Sequence, residues 1–213
     1  MLFERLPLVT VILCAFISSH TYAETVSLEY AGFYNPLKRV NKNNYPNVEL
    51  VFSVPQSEDC TIISGNITTE NETFPLTYNQ QQRIYMPFDA DLKSNRGLVN
   101  IEVAGDASQC GIAMQVRARA LQQDYTQQQL SLLLNDMNGL LDTLQGFPMK
   151  YFRKPLSGLS FHFDSKQNEA VMVNIDGQQQ TIENNFTLSE QKIEQLTELS
   201  FSIQPQIVSP WVE

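Results

Sequence analysis

The chain has 213 residues, 42% of them hydrophobic, with a formal charge of −9 and a pI near 4.7. That is enough apolar material for one domain or two small ones. The acidity argues against a duplex nucleic-acid partner, which needs a cationic face. Only 17% of residues are charged, while 20 are glutamine and 16 asparagine, so much of the polar surface is amide.

Residues 1–23 have the layout of a secretory leader. Arg5 stands near the start, residues 6–17 form an apolar run broken by Pro7 and Thr10, and Thr21 and Ala23 occupy the −3 and −1 positions of a cleavage site. Twelve residues at ~1.5 Å each fall short of a ~30 Å bilayer core. Cleavage after Ala23 is therefore expected, rather than a permanent span. Cys14 follows Leu13 and Ile12, not the small residue that lipidation requires. No later stretch has eighteen apolar residues in a row, so the processed chain is expected to be soluble and not membrane-spanning. It keeps the charge of −9, one histidine (His162) and two cysteines (Cys60 and Cys110).

Residues 24–46 crowd Tyr30, Phe33, Tyr34 and Tyr45 beside Lys38, Arg39 and Lys42. Pro36 suits a first helical position, so a short helix is expected over 36–42. From 47 to 120 the apolar residues alternate with period two. Val48, Leu50, Phe52 and Val54 share one face. Phe74, Leu76 and Tyr78 share another, as do Ile84, Met86 and Phe88, and then Val99, Ile101 and Val103. Cys110, Ile112, Met114 and Val116 complete the set. Short strands at this spacing predict an antiparallel, sandwich-like unit. Cys110 then faces the core, Cys60 can do likewise, and an exported chain meets an oxidant. One Cys60–Cys110 bridge is expected.

Residues 125–145 change to helical period: Leu130, Leu133, Leu134, Met137, Leu140, Leu141 and Leu144 fall on one stripe. Asp124 or Thr126 can cap its start and Gly146 its end. The stripe suits a core-facing helix, with a dimer through helix 125–145 as an alternative. Beyond it, Leu159, Phe161 and Phe163 alternate, and Val171, Val173 and Ile175 run into Asp176-Gly177, a hairpin signal. Thr187 and Glu190 have capping-box spacing and predict a helix to about Leu199, with a last strand from Phe201 interrupted by Pro205. The expected class is α+β and β-rich. The expected parts are a leader (1–23), a sandwich-like domain (24–120), an amphipathic helix (121–148) and a small α+β unit (149–213).

The stretch Leu28-Glu29-Tyr30-Ala31-Gly32-Phe33-Tyr34-Asn35-Pro36-Leu37-Lys38 resembles part of a known family. So do Phe74-Pro75-Leu76-Thr77-Tyr78, Pro87-Phe88-Asp89 and the ending Ser209-Pro210-Trp211-Val212. With the leader and the two cysteines, they are similar to a family of exported Gram-negative bacterial proteins, a domain of unknown function. The resemblance implies a periplasmic address and no reaction, and it carries no functional residue onto this chain.

Signatures of catalysis are missing from the sequence. There is no GxSxG elbow, phosphate loop, GxGxxG, HExxH or dense acidic calcium loop, and no cofactor is expected. His162 and Asp164 lie two apart on one strand face. A hydrolase would use His162 as a base oriented by Asp164, with a serine elsewhere. Their roots are ~7 Å apart, which makes that hydrogen bond awkward. Glu58 and Asp59 read as a solvated loop. Asn66, Asn71 and Asn185 open N-x-[ST] triplets, which in a bacterial protein are chance. One feature exceeds the composition: Lys38, Arg39 and Lys42 form one basic cluster, and Lys150, Arg153 and Lys154 another around Tyr151 and Phe152. Cations mixed with aromatics suit an anionic glycan, a lipid headgroup or an acidic envelope protein. The functional expectation is a non-catalytic binding or structural module of the cell envelope.

Overall fold

A computed structural model describes residues 23–55, 60–164 and 170–213. The leader and the Glu58–Asp59 loop lie outside the described residues. The chain is a β-rich α+β protein with two buried apolar clusters.

The first half opens with β1 (Ala23–Glu29) and α1 (Ala31–Asn41). Then come β2 (Val48–Ser53), β3 (Thr61–Thr68), β4 (Thr73–Pro75), β5 (Thr77–Tyr78) and β6 (Arg83–Tyr85). The short helix α2 (Ala90–Ser94) leads to β7 (Leu98–Ala104) and β8 (Ala113–Ala118). Two antiparallel sheets result, ordered β1-β7-β3-β4 and β5-β6-β2-β8. Ile62, Ile67, Val99, Ile101 and Val103 of the first meet Leu50, Phe52 and Ile84 of the second in one cluster, joined by Phe33 and Tyr34 of α1.

Helix α1 begins at Ala31 rather than Pro36, and Pro36 sits inside it. An interior proline costs ~3 kcal/mol. Phe33 and Tyr34, only 5% and 6% exposed, lie in the turn before it. Burying each ring is worth about 1.5–3 kcal/mol, enough to hold the longer helix. The 74–78 stretch is two strands, not one. β4 pairs with β3 and β5 with β6, and the chain changes sheets at buried Leu76, whose N–H donates to Gly65 O at 3.0 Å. Cys110 is also displaced from its expected strand, closing a single 3₁₀ turn (Ala107–Gln109) ahead of β8. Val116 and Ala118 are the buried residues of β8, and Met114 is exposed.

Two segments that carry the family resemblance touch here. The Tyr30 hydroxyl donates to Pro87 O at 2.6 Å and accepts from Asp89 N–H at 3.0 Å. Tyr34 stacks on Phe88 with centroids 4.8 Å apart. Asp89 in turn caps α2 through Asp91 N–H and Leu92 N–H. Burial raises the Tyr30 phenol above its ordinary pKa.

The second half begins with β9 (Asp124–Thr126) and α3 (Gln127–Gln145). Thr126 and Gln129 form a capping box at the start of α3, and Gly146 follows its end. Gly139 lets Tyr45 close on the helix. A Cβ there would stand 2.9 Å from the Tyr45 ring, and the Tyr45 hydroxyl donates to Gly139 O at 2.8 Å. Next come β10 (Gly158–His162), β11 (Val171–Ile175), β12 (Gln178–Ile182) and β13 (Asn185–Ser189). The chain finishes with α4 (Glu190–Gln195), β14 (Glu198–Phe201) and β15 (Ile207–Trp211). Their sheets are ordered β12-β11-β14-β9 and β13-β10-β15.

Asp176-Gly177 makes the expected hairpin, both residues at positive φ. The Asp176 carboxylate accepts from Glu198 N–H and Thr197 N–H, which holds its pKa below the usual value. The expected Thr187 capping box is not formed. Thr187 lies within β13 between buried Phe186 and Leu188, and Ser189 caps α4 through Lys192 N–H. α4 ends at Gln195, and Leu199 belongs to β14, which ends at Phe201 where the last strand was expected to start. Pro205 lies between β14 and β15.

The stripe of α3 is consumed inside the molecule. Leu130, Leu133, Leu134, Met137 and Leu140 pack with Leu159, Phe161, Ile193, Leu199 and Val208. The apolar seam on which a helix-mediated dimer depended is therefore covered by the chain itself.

Candidate functional site

Cys60 and Cys110 are bonded, with Cα atoms 5.5 Å apart, and both are buried. Gln82 reinforces the same corner. Its Nε2 donates to Cys60 O at 2.8 Å and to Pro55 O at 3.1 Å, and its Oε1 accepts from Ile62 N–H at 2.6 Å.

The two basic segments converge on the C-terminal part of α3. Arg39 Nη1 donates to Leu144 O at 2.7 Å, satisfying a carbonyl of the last turn. Arg153 binds from the other segment. It contacts Asp142 Oδ1 through Nε and Nη2, both at 2.8 Å, and Asn138 Oδ1 through Nη2 at 3.0 Å. Cations here also complement the negative end of the helix dipole. The two arginines are thus anchored on α3, while Lys38, Lys42, Lys150 and Lys154 are exposed. Sequence reasoning saw the charge but not this division, because the carbonyls and Asp142 are brought up by the fold.

Arg153→Ala should consequently lower stability by about 2 kcal/mol, the scale for hydrogen bonds to charged groups. Lys154→Ala should stay within ~0.5 kcal/mol. Urea titrations of both variants measure the difference; equal losses would mean that Arg153 does not anchor the segment.

Between α3 and Arg153 runs a protruding loop. It holds Phe147, a 3₁₀ turn (Met149–Tyr151) and Phe152. Phe147, Met149, Tyr151 and Phe152 are 83%, 57%, 70% and 76% exposed. Phe147 and Tyr151 meet edge to face at 6.2 Å, and Lys150 Nζ stands 5.0 Å over the Tyr151 ring. Four large apolar side chains are thus displayed within six residues.

His162 is exposed at the end of β10. Its Nδ1 lies 2.7 Å from Asn185 Oδ1, an amide oxygen that cannot stabilise an imidazolium as a carboxylate would. Asp164 Oδ2 accepts from Gln206 Nε2 at 3.3 Å. His162 does line a polar cleft with Ser53, Arg83 and Arg117, three residues that sequence reasoning passed over. Their signal lay in the second face of β2 and β8, where Glu49, Gln115 and Arg117 alternate with core residues. Among the described residues, no three of His, Cys, Asp and Glu gather where one metal ion could be held.

The family model for proteins of unknown function DUF2987 matches residues 22–163, about two-thirds of the chain. The chain belongs to DUF2987. The match takes in the Cys60–Cys110 bridge, both basic segments, the exposed loop and the contact of Tyr30 with residues 87–89. The description of DUF2987 assigns no reaction to any of them. No curated protein and no solved structure matches the chain.

Proposed function

We propose that the chain is exported, cut after Ala23, and works in the periplasm as a non-catalytic binding module of the cell envelope, resting on an anionic phospholipid surface. The observation that carries this reading is the loop at the end of α3, where Phe147, Met149, Tyr151 and Phe152 project beside Lys150. Lys154 follows in the chain, and Lys38 and Lys42 lie on the segment that Arg39 ties to α3. The family match begins at residue 22, beside the cleavage point, which supports export.

The chemistry favours a lipid surface over a water-filled groove. Aromatic rings settle at the headgroup level of a bilayer. Each lysine near an anionic leaflet adds ~1 kcal/mol. The rest of the chain is acidic and would be repelled, so the loop also fixes the orientation.

Sedimentation with vesicles tests it. The processed protein should pellet with phosphatidylglycerol–phosphatidylethanolamine vesicles at low salt, and much less with phosphatidylcholine. Phe147→Ser with Phe152→Ser should reduce partitioning at least tenfold, since each buried ring is worth about 1.5–3 kcal/mol. Its melting temperature should not change. No pelleting of the parent protein, or equal pelleting of the variant, would overturn the reading.

A further inference from the structure

The polar cleft shares no lining residue with that loop and lies on the Ser53 face of the β5-β6-β2-β8 sheet, opposite to Leu50 and Phe52 of the apolar cluster. In register, Ser53 of β2 stands between Arg83 and Ala113, Val51 faces Gln115, and Glu49 faces Arg117. These side chains share one side of the sheet. Gln204, Pro205, Gln206 and His162 form the opposite wall of a cleft of about 540 Å³. Both apolar and polar groups converge there, and the size fits a small-molecule site.

The charge of the cleft is opposite to that of the chain. Its described lining holds Arg83, Arg117 and His162 and no carboxylate, in a protein of net charge −9. Asp164 accepts from Gln206 of the wall, and Glu49 accepts from Arg83. Glu49 takes the Arg83 fork in two bonds of 2.8 Å, which raises the pKa of that guanidinium. The same carboxylate faces Arg117 in register and attracts its charge. Arg117 donates through Nε to Gln115 Oε1 at 3.0 Å, and Nη2 contacts the same oxygen. Burial, and then the Arg83 charge, lower the pKa of Arg117. Arg83 Nε is buried and has no hydrogen-bond partner among the described residues. Two half-buried guanidinium groups thus share one carboxylate, an arrangement that is costly unless a second anion joins them.

We infer that this cleft binds a carboxylate-bearing small molecule, with Arg117 as the carboxylate's fork and the glutamines of the walls holding its polar body. Glu49 on Arg83 shows the geometry: a planar carboxylate matched bidentately by a guanidinium at the cleft wall. Gln115, Gln204 and Gln206 can both donate and accept, as a peptide or a sugar requires. The shared chemistry is one carboxylate on a hydrogen-bonding body, and a peptide C-terminus and a uronic acid both supply it.

Calorimetric titration of the processed protein separates these sources. One arm compares acetyl-trialanine with its C-terminal amide. The other compares galacturonate with galactose. At least one acid should bind, and its neutral counterpart should bind at least tenfold more weakly. Arg117→Gln should remove at least tenfold of the affinity, on the scale of one charged hydrogen bond. Its melting temperature should stay equal or rise, because a desolvated charge beside Arg83 is gone. Binding of neither acid, equal binding of the neutral partner, tighter binding of inorganic phosphate than of either acid, or unchanged affinity in Arg117→Gln would each overturn the inference. Vesicle binding is measured separately, so the two proposals fail independently.

Discussion

Gly158→Ala should destabilise this protein by about 3–5 kcal/mol. Gly158 opens β10 at φ +157, opposite Ser189 of β13 and Trp211 of β15. A Cβ built there would sit 2.0 Å from Leu188 O and 2.8 Å from Ser189 Cα. Both atoms are backbone and cannot swing aside as a side chain would. Relief requires that β10 and β13 separate where buried Leu159, Phe161, Phe186 and Leu188 pack, and costs of this size follow when a packed core is forced apart. Urea unfolding of the variant measures it, with an unchanged slope showing that the denatured state is the same. A loss below ~1 kcal/mol would refute the close approach of β10 and β13.

Reducing the Cys60–Cys110 bond should come next. The bridge closes a span of 50 residues. On the chain-entropy estimate a loop of this length contributes ~4 kcal/mol. For a chain of this size that corresponds to a fall of about 8–16 °C in melting temperature. The Gln82 bonds to Pro55, Cys60 and Ile62 persist without the bridge and keep the corner in place. The reduced protein should therefore still fold, but melt earlier. Thermal scans with and without dithiothreitol decide it; a shift below ~2 °C would mean that the bridge adds little to the folded state.

The sequence was most legible where one local rule governed the outcome. Leu130 to Leu140 kept helical spacing, so α3 was readable with its Thr126 cap. Asp176-Gly177 marked its hairpin. The bridge was readable from two cysteines and the expectation of export, although Cys110 stands before β8 and not within it. Legibility ended where distant segments decide. The apolar alternation of Phe74, Leu76 and Tyr78 runs on past Pro75, so the change of sheet at Leu76 was marked only by a proline that ends β4. Pro36 looked like a helix start because the gain from burying Phe33 and Tyr34 depends on strands elsewhere. Thr187 and Ser189 both offered a cap, and the burial of Phe186 and Leu188 gave Thr187 to the strand. The cleft was invisible for the same reason: Arg83 and Arg117 become neighbours only through the register of β2 with β6 and β8.

The order β13-β10-β15 sets the inherited segment apart from the unit that folds. The family match stops at residue 163, one residue past β10. Yet β10 is the middle strand of its sheet, and both neighbours come from beyond that point. A fragment ending there would have two bare backbone edges on β10, and its α3 stripe would lose Ile193, Leu199 and Val208. Residues beyond the match therefore complete the sheet and the core that the matched segment begins.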